Sequence, residues 1–336
     1  MGSGFRTFAS GEVLTSSNVQ NYLMDQAVMV FAGTAERGSA LPSPEVGMTA
    51  YSTATGMQVW DGSAWVAVGG LNYGVATGGA GTSTATIDGI NYTILEFQST
   101  GSLVVSTEGL FDIGVICGGG GGRAGFAGFT NLANGGAGGG GWFEETITLS
   151  AGTVTVTVGA GGADSTHGGA SGVGSRTFNL GGAPVQDGSV NEVRAGVCGC
   201  GSTRQNAAGG LSFADFIGRA GGTGPTGNDN LAAGGGGGAG GVGGNGNGAT
   251  QVGGNGGAGY DVSAFIGGST RSLGGGGGSC GRTTGGTGSG GGGNGASGSG
   301  TGGNGSVNTG GGAGSSIGSS SAATGGSGIV FVRFRS

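Results

Sequence analysis

The run Ile329-Val330-Phe331-Val332-Arg333-Phe334-Arg335 lies at the far end of a chain otherwise dominated by glycine. Its alternation puts Val330, Val332 and Phe334 on one face and Arg333 and Arg335 on the other, the period of a half-buried strand. So apolar a strand needs partners. The nearest comparable run is Thr153-Val154-Thr155-Val156-Thr157-Val158, about 170 residues earlier, with valine on one face and threonine on the other. Between the two lies sequence too poor in large side chains to build a core of its own. The pattern therefore predicts a β framework that the C-terminal strand closes, with residues 181–328 as a long glycine-rich excursion from it.

Working toward the N terminus, Tyr92–Phe97, Ser102–Ser106, Leu110–Ile116 and Trp142–Leu149 read as further strands, and Arg176–Leu180 as a weaker one. Residues 71–180 thus form the β framework with a first glycine-rich insertion at Gly118–Gly141, and residues 329–336 close it. Residues 1–70 have ordinary composition and read as a separate unit. Ser17-Asn18-Val19-Gln20 fits a capping box. From Asn18 to about Ala32, Val19, Tyr22, Leu23, Ala27, Val30 and Phe31 recur at helical offsets, which predicts an amphipathic helix for attachment or oligomerisation. Met48–Ser52 and Met57–Trp60 read as strands, and Asp61-Gly62 as a two-residue hairpin turn between Trp60 and Trp65. The expected fold class is mainly β.

The chain has 97 glycines in 336 residues, about 29% against about 7% in an average protein. Only 18 of them lie in residues 1–116, and 79 lie in the other 220. Four prolines and runs such as Gly274–Gly278 exclude collagen. A flexible linker is one account of such a composition. The ordered account is polyglycine II, extended threefold helices that pack closely enough to exchange backbone hydrogen bonds sideways. Apolar words inside the excursion, Leu211–Ile217, Tyr260–Ile266 and Leu273, favour the ordered account.

Function classes narrow in the same way. All eleven basic residues are arginine, so a Walker loop and Schiff-base chemistry are absent. A formal charge of −6 speaks against nucleic acid or anionic lipid as partners. No run approaches a membrane span, and the start lacks a charged n-region followed by an apolar h-region. His167 is the only histidine, and Ser165 and Asp164 beside it make no catalytic constellation. Glu144 and Glu145, adjacent on a strand, point to opposite faces, unlike a glycosidase pair. Cys117, Cys198, Cys200 and Cys280 fit no zinc spacing. They remain buried thiols or late-formed disulfides, with Cys198–Cys280 as one pairing. No enzyme activity, metal or cofactor is expected.

Two resemblances add to this. Phe8-Ala-Ser-Gly-Glu-Val-Leu-Thr-Ser-Ser-Asn-Val-Gln-Asn-Tyr-Leu-Met-Asp-Gln-Ala-Val-Met-Val-Phe31, then Ala40–Met48, Ala50-Tyr51 and Val59–Val66, resemble the opening of tailed-bacteriophage minor tail and fibre proteins. Tyr92–Phe97, Gly114–Gly122, Thr153–Gly162 and Gly325–Arg333 resemble the glycine-rich domain at the distal ends of phage fibres and adhesins. These resemblances imply a virion protein, assembled in the host cytoplasm as a homotrimer, held to other tail or capsid proteins through residues 1–70. Its distal part would contact a host receptor or glycan. The alternative is a head fibre or decoration protein without recognition. Candidate receptor contacts are Phe213, Phe216, Tyr260 and Phe265, which alternatively serve as plugs under the glycine layers.

Overall fold

The computed structural model describes residues 11, 13, 15, 16, 28–53, 55–68, 73–124, 133–178, 182, 198–202, 217–225, 231–318 and 321–336. The chain divides into two compact units, Met1–Asn72 and Tyr73–Ser336. It is mainly β, as its alternating runs require.

In the first unit β1 (Met29–Phe31), β2 (Thr49–Ser52), β3 (Gly56–Trp60) and β4 (Trp65–Ala67) form one sheet in sequence order, with α1 (Thr34–Ala40) between β1 and β2. Strand β1 runs parallel to β2, and the other pairs are antiparallel. Val30 and Phe31, expected on a helix, belong to β1. There Phe31 is buried and Val30 is 70% exposed, so period-two alternation beside Ala50–Ser52 has won over helical spacing. Val19, Tyr22, Leu23 and Ala27 lie outside the described residues. The Asp61-Gly62 turn is also longer than expected. Trp60 pairs with Trp65, leaving a four-residue loop in which Asp61 Oδ1 accepts from the N–H groups of Ser63 and Ala64.

In the second unit ten strands form two sheets. These strands are β5 (Val75–Gly78), β6 (Gly81–Ile87), β7 (Ile90–Phe97), β8 (Gly101–Thr107), β9 (Gly109–Ile116), β10 (Trp142–Leu149), β11 (Gly152–Thr157), β12 (Ser171–Val173), β13 (Arg176–Phe178) and β16 (Ile329–Arg335). One sheet has the order β10-β9-β16-β7-β6, the other β13-β12-β11-β8-β5. Leu95, Phe97, Ile113, Val115, Val330, Val332 and Phe334 of the first meet Leu103, Val105, Val156 and Val173 of the second in a single core. The C-terminal strand does close the framework, but its partners are β7 and β9, not β11. The reason lies in its other face. Ile329 and Phe331 are also buried, in a second cluster around Trp142. A strand buried on both faces occupies the centre of its sheet, while the Thr/Val alternation of β11 suits a strand with one face exposed.

Beyond Ile116, Trp142 and Ile329 the chain enters a lattice of extended glycine segments. Six consecutive donors show its symmetry. Gly234, Gly235, Gly236, Gly237, Gly238 and Ala239 donate in turn to the carbonyls of Ser202, Gly244, Gly277, Gly199, Gly241 and Gly274. Three neighbours are visited in rotation, and each is met again three residues later. This is a threefold helix bonding sideways, the polyglycine II arrangement. The same segment accepts from Gly136 and Gly139, from Arg219 and Gly222, and from Gly257, so it has six neighbours. Segment 275–281 repeats the pattern, donating in rotation toward 290–296, 254–257 and 134–137.

The absence of Cβ is what permits this spacing. A Cβ at Gly236 would sit 1.9 Å from the Ala137 carbonyl oxygen, and one at Gly277 would sit 1.9 Å from that of Ala313. Residues with side chains fill the gaps instead, such as Ala137, Ala313 and Ala323, which make a small buried cluster. At Gly300 the nearest atom to an added Cβ is 3.7 Å away. Gly236→Ala or Gly277→Ala is therefore expected to lower stability by at least about 3 kcal/mol, whereas Gly300→Ala stays within about 0.5 kcal/mol. Urea denaturation of the three variants, followed by intrinsic fluorescence, checks this.

Candidate functional site

Two features of the second unit gather chemistry: the rim of the lattice, and a cleft against the first sheet.

The rim exists because a threefold helix at the lattice surface turns some of its N–H groups toward solvent. Asparagine answers this in a recurring way. Asn245 Oδ1 accepts from the Thr223 N–H at 3.0 Å, and the next residue, Gly246, donates to the Thr223 carbonyl at 3.0 Å. Asn255-Gly256 holds Thr287 in the same two-point clasp, at 2.9 and 2.8 Å, and Asn304-Gly305 holds Thr324 at 2.9 and 2.8 Å. Asn294-Gly295 is a variant that engages Gly288 and Gly286. The carboxamide oxygen thus replaces the backbone carbonyl of a missing neighbour. The sequence carried this signal as recurring Asn-Gly pairs, but only the lattice reveals their partners.

The cleft, about 260 Å³, is lined by Asp112, Glu144, Glu145, Thr146, Phe265 and Arg333. Arg333 is the centre of it. Its Nε donates to Asp112 at 3.0 Å and its Nη1 to the Phe265 carbonyl at 2.7 Å. Its guanidinium lies over the rings of Phe265 and Tyr92, at 4.1 and 4.7 Å. Asp112 takes a second bond from Thr146, so both of its oxygens are engaged. Glu145 pairs with Arg176 of β13, while Glu144 lies near enough to Tyr260 to raise the phenol's pKa, together with burial, the larger cause. Carboxylate oxygens can accept from the hydroxyl or amino groups of a polar ligand, and a fixed guanidinium beside them can donate to its oxygens. The sequence signal for this cleft was a single charge, Asp112, inside the apolar strand β9.

The expected contact residues separate. Phe213 and Phe216 lie outside the described residues. Phe265 sits on α2 (Ser263–Ile266), between the short strands β14 (Tyr260–Asp261) and β15 (Ser272–Leu273), and is 4% exposed. It packs edge-on against Trp142 at 5.5 Å, the plug arrangement, and also lines the cleft. Tyr260 stacks on the same indole at 5.7 Å and is half-buried. Arg271 ties this excursion down through two bonds to Glu96 of β7, which hold the Glu96 carboxyl below its usual range. Ser165 donates to Asp164 in an exposed turn at the lattice edge, with His167 two residues on.

A family model described as a glycine-rich domain matches residues 98–335. The chain belongs to the glycine-rich domain family. No curated protein matches it. The lattice and seven of the ten strands of the two sheets fall inside the matched span, and β5, β6 and β7 precede it.

All four cysteines are free and buried, which removes the Cys198–Cys280 disulfide and leaves the thiol alternative. Burial pushes Cys198 from an ordinary 9.0 up to about 12 and Cys280 up to about 11. Both are raised in the fold, so their contribution is complete below about pH 9 and fades as pH rises through 11 and 12. Native protein is expected to leave all four thiols unreactive toward DTNB at neutral pH, with all four reacting after denaturation. Its urea midpoint should fall once pH passes about 9. A fast-reacting native thiol would contradict the burial.

Proposed function

We propose that this protein is a bacteriophage virion structural protein, a tail fibre, spike or minor tail protein that mediates attachment to the host surface through its glycine-rich domain. Residues 1–70 join it to other virion proteins, and the mature form is a homotrimer. The observation that carries this proposal is the open face of the first unit's sheet. Val30, Tyr51 and Met57 stand in one cross-strand row over β1, β2 and β3, Val68 just past the end of β4 continues it, and each is exposed. Val59 and Val66 pair in the adjacent row. The opposite face is occupied: α1 lays Arg37 over the Trp65 ring and onto Gln58. A contiguous apolar face on so small a unit is the kind of surface that protein contacts cover. Val30, Tyr51, Val59 and Val66 of this face lie in the words that resemble virion attachment modules.

Recognition then falls to the glycine-rich domain, whose rim and cleft offer fixed polar groups for a receptor or glycan. Many copies on one particle would add weak contacts into firm binding. Two measurements test this together. Tyr51→Asp with Met57→Asp should remove the protein from purified particles while its soluble form keeps its circular dichroism. Purified residues 73–336 should compete with phage for adsorption. Retention of the doubly charged variant on particles would overturn the attachment face. Failure to compete, with the label found on the head, would move the protein to the head-fibre alternative.

A further inference from the structure

We propose that Asn247 is a modification site, the asparagine at which the folded domain spontaneously deamidates. Six Asn-Gly pairs fall within the described residues, at Asn134, Asn245, Asn247, Asn255, Asn294 and Asn304. Asn-Gly is the dipeptide most prone to this reaction, because glycine leaves the attacking nitrogen unhindered. The Gly248 backbone nitrogen would lose its proton and bond to Asn247 Cγ. The Cγ–Nδ2 bond breaks, and the carboxamide nitrogen leaves with that proton as ammonia. Water then opens the cyclic imide to aspartate or isoaspartate.

The lattice blocks this step at four of the six. In the clasps at Asn245, Asn255, Asn294 and Asn304 the following glycine's N–H is bonded to a carbonyl of a neighbouring segment, at 2.8 to 3.0 Å. The carboxamide oxygen is held by a neighbouring N–H as well. Both reacting groups are thus fixed to another segment, and attack requires local opening of the lattice. Asn134 is 1% exposed, and its Nδ2 donates to Ser316 at 2.9 Å, which keeps water from it.

Asn247 shares the exposure of the four clasp asparagines and differs from them at the attacking nitrogen and in holding no other segment. It is exposed and begins the hairpin that pairs it with Val252, closed by Gly248–Gln251 with Gln251 at φ 55. Its carboxamide oxygen contacts only its own turn, at Thr250, and among the described residues the Gly248 N–H has no hydrogen-bond partner. Gly248 is itself buried, but no hydrogen bond to a described residue has to break before its nitrogen attacks, as one must in the four clasps. The product places a new carboxylate on the rim, and isoaspartate adds a backbone methylene that breaks the Asn247–Val252 pair.

The test is an incubation of the whole protein at mildly alkaline pH, followed by peptide mapping and fragment-ion assignment of isoaspartate. Asn247 should convert more than about tenfold faster than Asn255, Asn294 or Asn304 in the native protein, and the sites should converge in denaturant. Asn247→Gln, at an exposed turn, should keep the near-ultraviolet circular dichroism and abolish most of the native isoaspartate. Equal native rates across the pairs, or native isoaspartate that persists in the glutamine variant, would overturn the proposal. So would an Asn247 that stays intact while the denatured chain converts.

Discussion

Everything in the second unit depends on one contact, the sideways N–H···O=C bond between two extended segments that lack Cβ atoms. Each such bond contributes only about 0.5–1.5 kcal/mol net, while ordering a glycine costs about 1–2 kcal/mol. A lone pair of segments therefore gains nothing. Segment 234–239 survives because it has six neighbours, and both the donor and the acceptor of nearly every residue are used. Ordering and bundling are the same event, which is why the composition of a flexible linker yields a solid.

A lattice of identical residues has a weakness that bonding alone does not cure: sliding one segment by three residues restores every backbone bond. Register has to come from elsewhere. The sheets supply it at one end. Gly109–Ile116 of β9 is locked between Trp142–Leu149 of β10 and Ile329–Arg333 of β16, and each of these strands adjoins a lattice segment. Side chains supply it within. Cys280 Sγ donates to the Asn134 carbonyl at 3.3 Å, and Ser279 and Ser315 hydroxyls reach carbonyls of adjacent segments. The clasps add a third set of pins at the rim, where each asparagine fits only one register.

How much of this the sequence reveals follows from where side chains vary. The closing role of Ile329–Arg335 was legible because apolar alternation at the end of a glycine-rich chain has no other use. Its neighbours were not, since Ile329 and Phe331 share the alternation's second face with Arg333 and Arg335, and nothing in the sequence says that this half of that face packs on Trp142. Val30 and Phe31 satisfied a helical spacing and a strand spacing at once, and short apolar runs do not separate the two. The lattice was legible as a type and illegible as a map, because glycine carries no pattern to say which segment lies beside which. Asp112 is passed over inside the apolar run Leu110–Ile116, because its partner Arg333 lies 221 residues away.

The same geometry decides where such a domain can change. An interior position such as Gly236 or Gly277 admits no side chain, because the space a Cβ needs is already a neighbour's carbonyl. A rim segment has every third residue free to carry one, as Val252, Asn255 and Ala258 do along segment 252–258. Surface chemistry is therefore written on a grid, one side chain per threefold turn on each outer segment, over an interior that does not respond to it. Substitution at a grid position that makes no clasp, such as Val252 or Ala258, alters what the surface presents and leaves the bonding beneath intact. A recognition surface built this way can be rewritten residue by residue without redesigning a core, and the constraint that makes the interior monotonous is what leaves the rim free.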